Sequence, residues 1–178
     1  MRRGYIIWNE SSANFPNKIG VFLLMYFFGG IQANSIFVVF DYYLYCNMLL
    51  LLAAFLAIEY DWKYIKWYCL CIGAILDAFT FQAFGTSIVA VWAMGYMIER
   101  IKRAFYIEYI STTIFLLFIL ILGYCFLYTV WQYVVYNADE MVAPFTLLVI
   151  QNAPLTLFCA PVLYPLLRVV FNVKKSSF

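Results

Sequence analysis

WYCLCIGAILDAFTFQAFGTSIVAVWAMGYMI, running from Trp67 to Ile98, carries no charge except Asp77. A helix rises 1.5 Å per residue and the hydrocarbon core of a bilayer is about 30 Å thick, so one crossing takes about 20 residues. The run is too long for one ordinary span and slightly short for two. Its flanks decide between them. Lys63 and Lys66 precede it; Arg100, Lys102 and Arg103 follow it. Basic residues collect on the cytoplasmic side of a membrane. A single crossing separates the two clusters, whereas a hairpin places them together. The flanks therefore predict a helical hairpin of two short spans, turning near Thr80 to Gly85. A re-entrant hairpin preserves the same charge sidedness and stands as the alternative.

Four more apolar runs lie outside this one: Ile19 to Phe40, Tyr42 to Ile58, Tyr109 to Ala138 and Val142 to Leu167. Together they predict an all-α integral membrane protein of about six short transmembrane helices, in one polytopic domain over residues 1–178. Both termini are then cytoplasmic, with residues 1–18 as an N-terminal segment and 169–178 as a tail. All 11 basic residues fall inside: Arg2, Arg3, Lys18, Lys63, Lys66, Arg100, Lys102, Arg103, Arg168, Lys174 and Lys175. Asp41, Asp139 and Glu140 mark the outer loops. Trp62, Tyr64, Trp67 and Tyr68 gather at the inner boundary, and Tyr128, Trp131, Tyr133 and Tyr136 at the outer one, as interfacial aromatics do. Ile6 to Asn17 is polar and mixed, unlike the apolar core of a cleavable signal peptide.

Composition agrees. Only 11% of the chain is charged, against about a quarter in soluble domains, and the mean hydropathy is +0.89. The net charge of +2 includes no basic stripe long enough to follow a phosphate backbone, so nucleic acid is not an expected partner. Histidine is absent. That removes the commonest general base and zinc ligand, and with them Ser–His proteolysis and intramembrane metalloproteolysis. No Walker loop or carboxylate cluster suits phosphoryl transfer. The expectation is a non-enzymatic chain with no cofactor and no metal. The five cysteines, Cys46, Cys69, Cys71, Cys125 and Cys159, form no CxxC pair and read as small buried hydrophobes.

Asp77 is the one acid deep in an apolar run. A charge at mid-bilayer costs about 2.5–3.5 kcal/mol, so it faces protein or water. Two readings stand: a structural carboxylate hydrogen-bonded across helices, or a binding or coupling group. Gly73, four residues earlier on the same face, lets another helix approach it, with Thr80 and Gln82 as hydrogen-bonding neighbours. Gly85 suits the turn and Gly95 close packing. Glu99, Arg100, Lys102 and Arg103 form the densest charge cluster, a headgroup anchor or a cytoplasmic docking surface. Gly29 and Ala33 make a small-residue face able to receive a partner helix. The last run holds Pro144, Pro154, Pro161 and Pro165. Pro144 fits a first helical turn; the others predict a kinked or broken helix, with Gln151 and Asn152 near the freed carbonyls.

Two stretches carry a family resemblance: CIGAILDAFTFQAFGTSIVAVWAMGYMIERIKRAF, Cys71 to Phe105, and NAPLTLFCAPVLYPLLR, Asn152 to Arg168. The first resembles the signature of the bacterial rod-shape-determining MreD family in Gly73-x-x-x-Asp77, Gly85, Gly95–Tyr96 and the basic turn Arg100 to Arg103. Ala83–Phe84–Gly85 departs from the Ser-Gly or Pro-Gly pair often found there. The second resembles that family's Pro-rich last span, which ends in an arginine. The resemblance implies a scaffold subunit of the cell-elongation machinery in the bacterial inner membrane. Its expected partner is the single-span protein MreC, in company with RodA, its cognate penicillin-binding transpeptidase and MreB. The family's fold is similar to the substrate-binding subunits of energy-coupling-factor transporters. A vitamin-binding transporter subunit is therefore the rival expectation, with Asp77, Gln82, Gln151 or Asn152 as ligands.

Overall fold

The computed structural model describes residues 17–34, 36–39, 42–80, 85–104, 110–136 and 142–171. Within them lie six α-helices and one hairpin: α1 (Lys18–Asn34), β1 (Ile36–Val39), β2 (Tyr42–Tyr45), α2 (Met48–Glu59), α3 (Trp62–Thr80), α4 (Thr86–Ala104), α5 (Ile110–Tyr136) and α6 (Val142–Val170). Arg2, Arg3, Asp41, Gln82, Asp139, Glu140, Lys174 and Lys175 lie outside the described residues.

Contacts between the helices fix their directions. Gly73 of α3 meets Ile88 of α4, and Cys69 meets Gly95, so α3 and α4 run antiparallel. Phe22 of α1 lies 6.0 Å from Tyr68, and Gly29 abuts Ile75 and Phe79, so α1 runs parallel to α3. Asn47, just before α2, bonds Thr156, while Glu59 at its end bonds Arg168, so α2 runs with α6. Phe126 of α5 sits beside Phe145, and Ile114 shares a cleft with Tyr164, so α5 and α6 are antiparallel. The helices alternate up and down. As a result, all seven described basic positions (Lys18, Lys63, Lys66, Arg100, Lys102, Arg103 and Arg168) fall at one end of the bundle.

The all-helical expectation needs correction at one place. Ile36 to Val39 pairs antiparallel with Tyr42 to Tyr45, Ile36 opposite Tyr45 and Val39 opposite Tyr42. These residues, IFVV and YYLY, are β-branched and aromatic, the types that favour extended backbone. Hydropathy alone does not distinguish them from helix. The run Tyr42 to Ile58 is thereby split into a strand and a helix of 12 residues, about 18 Å long.

That short helix is the centre of the fold. Every residue from Leu49 to Ile58 is buried, and α1, α3, α4, α5 and α6 all pack on it. A helix apolar on all sides has to be enclosed, and MLLLLAAFLAIE offers no polar face.

Two of the six helices, α5 and α6, contain stretches long and apolar enough to cross a membrane, Ile114–Trp131 and Phe145–Val170. The others fall short for identifiable reasons. α1 and α2 are apolar but shorter. α3 includes Lys63, Lys66 and Asp77, and α4 ends in Glu99, Arg100, Lys102 and Arg103. α6 is helical without interruption from Val142 to Val170 despite Pro154, Pro161 and Pro165. Of the two outcomes expected from its prolines, a broken helix is therefore not what forms. Pro144 lies in its first turn, as expected.

Candidate functional site

The α3–α4 hairpin is built around one carboxylate. Asp77 is 5% exposed. Its Oδ2 accepts the backbone N–H of Gly85 at 2.7 Å and that of Ile88 at 3.4 Å; its Oδ1 accepts that of Ser87 at 2.7 Å. The first N–H groups of any helix lack intrahelical partners, and the helix dipole puts partial positive charge there. Asp77 supplies both acceptor and countercharge from the neighbouring helix. It caps α4 in trans.

The glycines serve the same joint. A Cβ on Gly73 would lie 2.5 Å from Ile88 Cα and 2.9 Å from Ile88 N, so only glycine lets the α4 backbone come close enough for Asp77 to reach it. Gly85 turns the chain with φ +106°, a conformation that costs glycine little and other residues much. Lower down, a Cβ on Gly95 would meet the Trp62 ring at 2.7 Å and Cys69 Sγ at 3.0 Å. The network continues into α5, where Ser87 Oγ and Tyr124 Oη lie 3.2 Å apart. Ser87 and Tyr124 were not foreseen. Neither residue type stands out within an apolar run, and their meeting is long-range.

A second polar joint closes the basic end. Tyr164 Oη donates to Glu59 Oε1 at 2.5 Å, and Arg168 Nε donates to the same oxygen at 2.6 Å. The Arg168 guanidinium also lies 5.3 Å from the Tyr164 ring centre. Lys102 Nζ donates to the carbonyls of Ala57 at 3.1 Å and Tyr60 at 2.9 Å, with Glu99 at 3.8 Å. Lys102 thus caps the C-terminus of buried α2, where cations are favoured. Burial, and then the nearby Glu59 charge, push the Tyr60 hydroxyl above its ordinary pKa. The opposite end of α2 is closed likewise. Asn47 Oδ1 accepts from Leu50 N at 3.1 Å, Gln32 Oε1 from Leu49 N at 3.3 Å, and Asn47 N donates to Thr156 Oγ1 at 2.9 Å. Asn47 lies inside the run Tyr42 to Ile58 and was not foreseen as a cap; an N-cap residue type directly before MLLLL is the signal that could have found it, whereas Lys102 had no such local signal.

The other expected site residues divide. Gly29 is turned inward, its hypothetical Cβ 3.0 Å from Phe79, so its small size serves the contact between α1 and α3. Ala33 is exposed. Asn152 Nδ2 donates to the carbonyl of Leu148 at 2.9 Å. That is the carbonyl of its own preceding turn; those freed by Pro154 and Pro161 belong to residues 150 and 157. Pro154 and Pro161 face outward. Arg100 is exposed and bonds Tyr96, and Arg103 is placed on α4 by its backbone alone. Cys46, Cys69 and Cys125 are buried as expected, but Cys71 is exposed, because residues two apart on a helix face different ways.

The outer surface of α6 is apolar. Only 17% of Phe145–Val170 is buried, and Phe158 and Val169 are each 80% exposed. Tyr26 of α1 is 85% exposed and Phe115 of α5 is 64% exposed. Apolar surface of this kind marks a membrane or protein interface. Between α5 and α6 lies a cleft of about 40 Å³ lined by Ile114, Leu117, Pro161, Tyr164 and Arg168. A smaller one of about 10 Å³ lies against α2. Compared with protein-family models, curated proteins and solved structures, the chain matches none.

Proposed function

We propose that this chain is a non-enzymatic scaffold subunit of the bacterial inner membrane, of the MreD type, that docks the transmembrane helix of an MreC partner within the cell-elongation complex. The observation that carries this reading is the use made of the resemblance residues. Gly73, Asp77, Gly85 and Gly95 all serve one joint: Gly73 and Gly95 admit close neighbours, Gly85 turns, and Asp77 caps. A motif spent on clasping two helices suits a protein whose product is a shape.

The membrane placement is supported by α6, which exposes an apolar surface along a helix long enough to cross. In a bilayer the alternating bundle gives six passages, with the basic end cytoplasmic and both termini on that side. The second passage is the composite one. A four-residue strand of about 13 Å followed by a helix of about 18 Å, laid end to end, matches a hydrocarbon core of about 30 Å. RodA, its transpeptidase and MreB are the wider partners in this reading, reached through MreC and the cytoplasmic face.

The transporter reading asks for a free polar ligand set and room for a vitamin, of the order of 300 Å³ or more. Asp77 is engaged with α4 and Asn152 with Leu148. The described clefts of about 10 and 40 Å³ take a few waters at most. Co-expression with MreC and affinity purification in mild detergent tests the scaffold reading, which expects a stable complex. Native mass spectrometry on the same sample tests the rival. A vitamin-sized adduct on a chain that ignores MreC would reverse the assignment.

A further inference from the structure

The basic end of the bundle presents cations of two kinds. Lys102 and Arg168 are committed inward, to the end of α2 and to Glu59. Arg100, Lys63 and Lys66 are not: among the described residues no carboxylate pairs with them, and each lies against an aromatic ring. Arg100 Cζ is 5.1 Å from the Tyr96 ring centre, and its Nε and Nη2 donate to the Tyr96 hydroxyl at 3.0 and 2.5 Å. Lys63 Nζ is 5.7 Å from the Tyr64 ring and Lys66 Nζ is 5.6 Å from the Trp67 ring.

Below Arg100 the rings continue. Trp92, Tyr96 and Arg100 recur every four residues and share a face of α4. Trp92 and Tyr96 stack at 6.3 Å with their planes 7° apart, and Trp62 of α3 sets its ring edge-on to both, at 5.4 and 6.0 Å. Trp92 and Tyr96 are about two-fifths exposed. Trp92 lies eight residues from Arg100, about 12 Å along the axis.

We infer that this ladder is a binding site for an anionic phospholipid, with the phosphate at Arg100. A guanidinium presents a planar donor fork that suits phosphate. Lys63 and Lys66 add the field that selects an anionic headgroup over a zwitterionic one. Trp62, Tyr96 and Trp92 line the glycerol and upper acyl region, the depth that such rings favour. An acidic peptide arriving from the cytoplasm would meet Arg100 but not Trp92, which is why a lipid fits the whole ladder. The inference rests on the membrane reading above and deepens it.

The test uses the full chain in an uncharged detergent, with native mass spectrometry counting retained phosphatidylglycerol and phosphatidylcholine. Phosphatidylglycerol is expected to be retained preferentially. Arg100→Gln should reduce that preference about fivefold, equivalent to about 1 kcal/mol for one basic residue at the surface. Lys63→Gln with Lys66→Gln should reduce it further, and Arg100→Lys should restore part of it. Trp92→Leu should weaken retention of both lipids. Gel filtration and tryptophan fluorescence confirm that each variant is folded; Arg100 and Lys63 are exposed, and Lys66 half-buried, so their replacement leaves the core intact. Equal retention of the two lipids overturns the inference, as does an unchanged preference in Arg100→Gln. Displacement of the lipid by inorganic phosphate alone, or tighter binding of poly-glutamate than of lipid, also overturns it. Alkaline-carbonate extraction of cell membranes separates the two levels. Release of the chain sinks the membrane reading itself, whereas a chain that stays but retains both lipids equally sinks only the headgroup site.

Discussion

Asp77 Oδ1 and the backbone N–H of Ser87 are 2.7 Å apart across the turn that joins α3 to α4. A side chain near the end of one helix thereby closes the start of the next. With Asp77 only 5% exposed, little water competes for this bond. The orphan donors of α4 and the one acid of the apolar run resolve each other's burial.

Asp77→Asn should lower stability by about 1–3 kcal/mol, because the amide lacks the charge and keeps only one acceptor oxygen. Thermal unfolding in detergent measures it. Asp77→Ala should cost more, with three N–H groups losing their partner. A variant melting with the wild type would mean that the carboxylate serves something other than this joint.

Gly73→Ala and Gly30→Ala form a paired comparison. The new methyl at Gly73 meets α4 backbone at 2.5 Å, whereas at Gly30 nothing lies within 4 Å. Overpacking against backbone costs about 1–3 kcal/mol; removing an open helical glycine gains about 1 kcal/mol. The two melting temperatures should move in opposite directions. Gly95→Ala should fall between the Gly73 result and the wild type, because the Trp62 ring it meets can swing aside, and its tryptophan emission should shift.

Glu59 and Arg168 should couple in a double-mutant cycle. Glu59→Ala and Arg168→Met each remove one partner of a bond of 2.6 Å at a joint where Glu59 is 9% exposed and Arg168 30%. The expected coupling is about 1–2 kcal/mol, reduced from the fully buried case by the open side of Arg168. Additive single effects would show that the pair is ornamental.

Pro154→Ala should stabilise the protein by about 1 kcal/mol or more. α6 is helical through this position, and Pro154 faces outward. The substitution therefore returns a backbone hydrogen bond and loses little packing. A lower melting temperature would show instead that the proline shapes a contact the fold depends on.

Cysteines introduced at Lys63 and Arg100 should be labelled from the same side of intact inverted vesicles by an impermeant maleimide. Labelling from opposite sides would break the hairpin and the sidedness built on it.

Much of this is legible in the sequence. The basic clusters on either side of Trp67 to Ile98 implied a hairpin, and α3 and α4 run antiparallel as that requires. α5 and α6 occupy the runs that predicted them. Gly73 and Asp77, four residues apart, announced a close helix contact at a carboxylate. The strand pair escaped because IFVV and YYLY are as apolar as any helix nearby. The inward turn of Gly29 escaped because small-residue spacing does not say which neighbour will use it.

The sequence by itself determined which segments shun water, how they alternate and which end gathers the positive charge. Those properties depend on the order of residue types along the chain, and order is all that hydropathy and charge need. Only the tertiary structure decided what each polar group does there. It made Asp77 the cap of α4 and Lys102 the cap of α2, because satisfying a buried backbone group depends on which atoms lie within about 3 Å, and that is a property of packing between distant segments.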